Sequence, residues 1–483
     1  MMSSLRSVAG RGGLMQLLRR SIRFSVILLV ALPTGSTQAK DDGVLNRLLE
    51  EIEKIPMVDT HSHVPLPGSD AETIKDPNFH YDVPWLLGST TYAGEFLYGK
   101  DWPETKKMLE INAQHGYYRP IRQALVDLYG LNPEEELGDG NVKTISERMD
   151  AKRRDANWYG DVYQRARVQH VITIEEHPDA LSDIHLPDTR ISPMWNVDFE
   201  IVFVATPLNG KEQKTTGFRH RIEQTEKHFG IRLHSLTDME ALIDREIPRF
   251  FERGGVGLKS TSAYFRPLNF DTKVPRMVAE EVFAEVVARK TPSENKRRHL
   301  EDYLMTRILK KLNELKRPIQ FHTGNQQSWN LVANSNPLEL NKLLYDGQFS
   351  DVKFVIMHGG YPYTQEAITM VRYFPNAYLD LAWMALFSPA AAKAALADAI
   401  DMLDGRQLMF GTDSANLEEM YGTVKFTRRI LAEVLAEKVE RGFLTEKVAL
   451  QTARRILYTN AIELYGLEKL QATTPKNNGL LRP

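Results

Sequence analysis

Met57-Val58-Asp59-Thr60-His61-Ser62-His63 is a short run, opened by the apolar Ile55 and Pro56, that ends in two histidines one residue apart. It reads as a buried strand whose carboxyl end passes into polar chemistry. On a strand, residues i and i+2 share a face and lie about 7 Å apart. His61 and His63 can therefore close on one metal ion from the same side. An isolated His-x-His is a weak signal, and its weight depends on what ends the later apolar runs.

Those runs cover residues 168–175, 191–200, 255–260, 318–324, 352–360, 377–384 and 407–414. Helical periodicity fills much of the space between them, over 238–253, 299–316, 337–344, 363–374, 389–404 and 418–441. With the first run, eight buried strands alternate with helices, which predicts a parallel sheet closed as a (β/α)8 TIM barrel. An open doubly wound sheet is the alternative, but no G-x-G-x-x-G or P-loop follows the first strand. Ahead of that strand, residues 42–55 read as an amphipathic helix with Leu45, Leu48, Leu49 and Ile52 on one face. Residues 64–167 form a large, mostly helical insertion after the first strand. It is rich in aromatics, among them Trp85, Tyr92, Phe96, Trp102, Tyr117 and Trp158, and is expected to fold over the mouth of the site.

The polar residues fall at the carboxyl ends of the runs, where barrel enzymes keep their chemistry. Lys259 ends the fourth, His322 the fifth, His358 the sixth and Asp413 the eighth. A single histidine ending an apolar run is usually a hydrogen-bonded core residue. Several separate strands doing so, with an aspartate on the last, form a specific set. Asp380 and Glu176 also lie at strand positions and read as supporting or structural carboxylates.

Composition narrows the class. The 483 residues are 42% hydrophobic and 26% charged, as in a globular protein with a large core. There is no cysteine, so disulfides and thiolate ligands are excluded, and a metal must be held by His, carboxylate or a modified Lys. At the N-terminus, Arg19, Arg20 and Arg23 precede the run 24–32, then Pro33, Gly35 and small residues ending at Ala39. That is the pattern of an export signal, 1–39, cleaved near Ala39, and it predicts a periplasmic or secreted protein. A run of nine residues is too short to span a bilayer, and membrane association is expected only if the signal stays attached. Removing 1–39 takes the formal net charge from −2 to −7, which argues against a nucleic-acid partner. The expected organisation is one barrel domain over 40–470, followed by a short tail, 471–483. A homo-oligomer is left open.

Beyond these residue-level readings, the chain resembles the amidohydrolase superfamily over nearly its whole mature length. Its wording is similar to the amidohydrolase-related branch that contains FluG-like domains. The stretches that carry the resemblance are Gly257-Leu-Lys-Ser-Thr-Ser-Ala-Tyr264, Gln320-Phe-His-Thr-Gly324, His358-Gly-Gly-Tyr-Pro-Tyr-Thr364 and Asn376-Ala-Tyr-Leu-Asp380. The insertion after strand one is also similar to that of uronate isomerases.

The resemblance implies a metal-dependent hydrolase, with zinc, one ion or two, held by His61, His63, His322 and Asp413. Asp413 would move the water's proton. His358 would bind a second metal or polarise the substrate carbonyl. Lys259 has three open readings: a carbamate bridging two metals, a charged anchor for a substrate carboxylate beside Arg266, or a salt-bridged lysine. Arg266 and Tyr361 are the expected substrate contacts. The substrate class is a small molecule, carboxylate-bearing if Lys259 is an anchor, cleaved at a C–N or related bond. A uronate-isomerase-like or non-oxidative decarboxylase activity is the alternative within enzymes, and a catalytically inactive binding protein is the alternative outside them.

Overall fold

The computed structural model describes residues 38–65, 81–90, 98–99, 101–155, 157–175, 177–178, 184–186, 188–204, 221–326 and 331–468. Residues 1–37 of the expected export signal 1–39, the expected tail 471–483, Glu176, and Tyr92 and Phe96 lie outside the described residues. No described helix is long and apolar enough to cross a membrane.

The expected eight strands are all present, as β1 (Met57–Ser62), β2 (Val168–Glu175), β4 (Thr189–Asn196), β5 (Gly257–Ser260), β6 (Pro318–Phe321), β7 (Lys353–Ile356), β8 (Ala377–Asp380) and β9 (Leu408–Met409). They pair in parallel in that order. A ninth strand, β3 (Ile184–Leu186), pairs antiparallel with β4. It is too short to show a period of its own. Several strands stop earlier than the apolar runs do. After β4 the chain turns into a π-helical segment, Asp198–Val202, and after β7 into a tight turn, Met357–Gly360. His322, His358 and Asp413 therefore stand on turns beyond the ladder, whereas His61 and Lys259 are the penultimate residues of β1 and β5.

The barrel closes through the quoted stretch. Asp413 N donates to His61 O at 2.7 Å and His63 N to Ser414 O at 2.9 Å. Asp59 accepts from Thr412 N at 2.7 Å and from Thr412 Oγ1 at 2.6 Å. Only glycine fits at 411, because a Cβ there would lie 2.8 Å from Thr60 Oγ1 and 2.9 Å from His61 N. Inside the barrel, Val58, Ile172, Met194, Val355 and Met409 pack against Ala461, Ile462 and Tyr465. The helix Asn460–Tyr465 thus fills the interior on the amino side of the site.

The helix Leu417–Glu440 starts directly after Asp413. Asn416 caps it by accepting from Glu419 N at 2.8 Å, and Glu419 in turn accepts from Ala415 N at 2.8 Å. Both carboxylates of its first turn, Glu418 and Glu419, suit the positive end of the helix dipole. The turn that carries Asp413 is thereby held at both ends.

The described part of the insertion is helical: Val83–Ser89, Trp102–Asn112, Tyr118–Tyr129, Val142–Arg153 and Trp158–Ala166. Tyr118–Tyr129 packs along Leu417–Glu440 on the barrel flank. Tyr81 donates to Glu418 at 2.7 Å, and Tyr129 donates to the same carboxylate. Towards the site the insertion reaches Trp383, whose ring lies 6.4 Å from that of Tyr117.

Candidate metal centre

The first cluster joins the two ends of the barrel. His61 Nε2 lies 3.5 Å and His63 Nε2 3.3 Å from Asp413 Oδ1, and the two rings meet edge-on at 5.1 Å. One ligand atom from each of the three residues falls within 4.8 Å of the others, a spacing that one divalent ion can bridge. Asp413 stands at φ 55, a left-handed conformation uncommon for any residue but glycine and most tolerated by Asn and Asp. Burial pushes its carboxyl up, but His61, His63 and His358 outweigh that and hold it well below the ordinary carboxylate range. It is an anion at neutral pH.

The orientation of His61 is set by Gln320, which the sequence reading did not single out. Gln320 Nε2 donates to Thr60 O at 2.8 Å and to Tyr465 Oη at 2.9 Å. Its Oε1 must therefore be the partner of His61 Nδ1, at 2.6 Å, and the proton sits on Nδ1. The Nε2 lone pair is left facing Asp413, the tautomer a metal ligand needs. Gln320→Leu is expected to weaken zinc binding by about 10- to 100-fold, the usual effect of losing such a support. A competition titration with a chromophoric chelator reads this directly, and affinity within threefold of wild type would remove Gln320 from the role.

The second cluster is a pair of imidazoles. His358 Nδ1 lies 3.1 Å from Ala382 O, and His322 Nε2 lies 2.9 Å from Asn325 O. Carbonyls only accept, so both outer nitrogens carry protons. Burial pushes both rings down, His358 to about 4 and His322 well below its ordinary value, so both are neutral at pH 7. The inner nitrogens, His358 Nε2 and His322 Nδ1, then face each other at 3.0 Å with two lone pairs and no proton between them. Such an arrangement wants a cation. Imidazoles whose other N–H donates to a backbone carbonyl are the common pattern of metal ligands. His358 also lies 3.6 Å from Asp413 Oδ2, which links the two clusters.

Lys259 completes the set. It pairs in register with Gln320 across β5 and β6, so the two share a face of the sheet. The side chain is buried, and Nζ has no hydrogen-bond partner among the described residues. Burial lowers its pKa to about 8 against the opposing pull of Asp413, Asp380 and Asp198. An orphaned amine with an accessible neutral form, beside two imidazole clusters and an aspartate, fits a site for divalent metal.

Arg266 is not brought to this set. Its guanidinium is buried against Glu301 at 3.2 Å and Asp302 at 2.6 Å, and it lies over the Phe270 ring. Both carboxylates come from the helix Glu294–Leu315, so the expected grip on a substrate carboxylate meets a cation already neutralised. Tyr361 stands at the rim, partly exposed, with its ring 5.3 Å from Phe387. Gly324, at φ 72, brings the β6 turn against the same loop, since a Cβ there would lie 2.3 Å from Tyr361 O. Asp380 accepts from Thr60 Oγ1 at 2.5 Å and from Ala382 N at 2.9 Å, which supports the strand ends below the metal ligands.

The shifted pKa values have opposite consequences for stability. A histidine depressed in the folded state favours the fold above its unfolded pKa and loses that contribution as pH falls. Carboxyls raised by burial act the other way: Asp59 to about 7, Asp198 and Asp380 to about 6. A difference measurement isolates one group. In chelated protein, the unfolding free energy of wild type minus that of His358→Asn is expected to fall by about 3 kcal/mol between pH 7 and pH 4. A pH-independent difference would show that His358 is not held neutral.

Comparison with known proteins follows the same lines. Residues 270–467, which carry His322, His358 and Asp413, match the amidohydrolase family model. The FluG protein of Emericella nidulans is 28% identical over 237 residues, 46% of this chain, and the match spans 27% of that protein. Among solved structures, the uronate isomerase of Thermotoga maritima is 17% identical, with a TM-score of 0.66 over 88% of this chain and 97% of that one. The glucuronate isomerase of Caulobacter crescentus is 13% identical, with a TM-score of 0.66 over 91% and 96%. A protein of Lactobacillus casei described as a metal-dependent hydrolase is 17% identical, with a TM-score of 0.60 over 87% and 98%. At these identities the structural likeness speaks for the barrel fold.

Proposed function

We propose, from the premise that this chain belongs to the amidohydrolase-related superfamily, that it is a zinc-dependent hydrolase of a C–N or related bond in a small exported-compartment substrate. The observation that carries this reading is the ionised Asp413, set against His61 and His63 on one oxygen and His358 on the other. His61, His63 and Asp413 would hold one zinc, and His322, His358 and a carbamylated Lys259 a second. When bound there, the metal supplies Lewis-acid chemistry, easing ionisation of water and polarising a carbonyl.

The chain's own residues do the rest. Asp413 Oδ2 accepts a proton and returns it to the leaving group, a role open to it because it is anionic at rest. Gln320 keeps His61 in one tautomer. The backbone carbonyls of Asn325 and Ala382 hold the His322 and His358 rings in place. Trp383, edge-on to His358 at 5.5 Å, and Phe387 wall the site on the side of the insertion and limit access of water.

A second reading is favoured by the fold: the likeness to a uronate isomerase and a glucuronate isomerase extends over about nine-tenths of this chain. In that reading Asp413 shuttles a proton between sugar carbons. Incubating the zinc-loaded protein with a panel of amides, lactones, aromatic acids and uronates separates them. Release of an acid and an amine or alcohol is the expected result. Conversion of an aldose to a ketose acid without hydrolysis would favour the isomerase, and decarboxylation of an aromatic acid would displace both.

A further inference from the structure

A second group of ligating side chains lies beside the barrel mouth, outside the centre described above. Three elements that are distant in sequence contribute one residue each. His177 follows the end of β2, Glu200 lies on the π-helical turn Asp198–Val202 after β4, and His228 closes the helix Ile222–Phe229. His228 Nδ1 is hydrogen-bonded to Glu200 Oε1, and His177 Nε2 lies 3.9 Å from that same oxygen. One ligand atom from each residue lies within 4.8 Å of the others. The imidazole rings stand edge-on, 4.9 Å apart at 87°.

The surroundings are built to hold this arrangement. Glu200 is 1% exposed, and its other oxygen accepts from Trp195 Nε1 at 3.2 Å, which fixes the carboxylate plane and turns Oε1 towards the two histidines. Trp195 is itself buried and packs against Phe229 and Phe250, and the His177 ring stacks on Phe229 at 5.5 Å and 28°. A buried carboxylate is stabilised by pairing or by a metal. Here it is offered two imidazoles, with the His228 side chain 42% exposed, so that an ion can enter from solvent.

We propose that His177, Glu200 and His228 form a second, peripheral zinc site that staples the segment after β2 to the helix Ile222–Phe229. Two neutral imidazoles and one carboxylate suit zinc, with a fourth position left to water. On binding, the ion takes the place of the hydrogen bond between His228 and Glu200, the His228 proton passes from Nδ1 by way of solvent to Nε2 so that the ring binds as a neutral imidazole, and ligand distances settle near 2 Å. The ion would thereby tie the segment after β2 to two segments that already meet, where Ile222 N donates to Val204 O at 3.0 Å and Thr225 Oγ1 to Glu200 O at 2.7 Å.

The test uses the full chain, stripped by chelation, reloaded with zinc, passed through gel filtration and assayed for metal. His177→Gln and His228→Gln are each expected to carry one zinc equivalent fewer than wild type. That loss should add to whatever His61→Ala removes, so failure of this site and failure of the barrel centre are distinguishable. Cobalt(II) gives a second readout, as the wild type minus His228→Gln absorption difference in the visible region. If His228→Gln does not fold, Glu200→Gln, close to isosteric and still able to accept from Trp195, should show the same loss. Equal zinc content in wild type and the folded variants would overturn the proposal and leave a hydrogen-bonded His–Glu–His group.

Discussion

Asp413→Asn is expected to reduce turnover by about 1,000-fold or more while the barrel stays folded. General acid–base catalysis alone is worth about 10²- to 10⁴-fold, and this substitution also removes an anionic ligand shared by His61 and His63. The fold should tolerate it for local reasons. Asn has nearly the same volume, and it is among the residues most at ease in the left-handed conformation that position 413 adopts at φ 55. The backbone bonds that close the barrel, Asp413 N to His61 O and His63 N to Ser414 O, do not involve the carboxylate. Steady-state kinetics, circular dichroism and zinc content would be read together. Activity within tenfold of wild type would take Asp413 out of the mechanism.

Lys259→Ala is expected to remove one or both zinc ions from the barrel centre, with activity lost in parallel. The buried Nζ has no hydrogen-bond partner among the described residues, and its pKa of about 8 leaves an appreciable neutral fraction to react with carbon dioxide. The carbamate would add an anionic ligand to a site in which Lys259 already acts electrostatically on His61, His322, His358 and Asp413. Short carboxylic acids or bicarbonate should then restore part of the activity of Lys259→Ala, and Lys259→Arg should not bind the second ion. The competing reading, a charged anchor for a substrate carboxylate, predicts unchanged metal content and a raised KM for acidic substrates only. That reading has lost its second cation, because Arg266 is occupied by Glu301 and Asp302. Elemental analysis showing one barrel zinc in both wild type and Lys259→Ala would sink the carbamate.

Much of the architecture is legible in one dimension because a parallel barrel strand is buried on both faces. It reads as an unbroken apolar run, and its carboxyl end shows as an abrupt polar residue. His61, His63, Lys259, His322, His358 and Asp413 all stand at such breaks, so the eight runs and their endings could be read before any contact was known. The ends of the strands were less legible, since the runs read at 191–200 and 352–360 continue past β4 and β7 into Asp198–Val202 and Met357–Gly360, which have left the ladder.

Which residues meet across elements could be read only from the folded chain. Gln320 lies in mid-strand and looks like any polar residue there. Its role appears when Thr60, Tyr465 and His61 arrive from three other segments. Asp59 lies within the decisive stretch, yet its bond to Thr412 exists only once the last strand returns to the first. Arg266 had a plausible spacing from Lys259, but the helix Glu294–Leu315 supplies two carboxylates to neutralise it. His177, Glu200 and His228 show no common pattern, because period and spacing report on a residue's own element. The order of amino acids carried the eight parallel strands and the polar residues that close their runs, though not β3 or the exact strand ends. Their partners, and the charge each side chain meets, follow from packing between elements far apart in the chain.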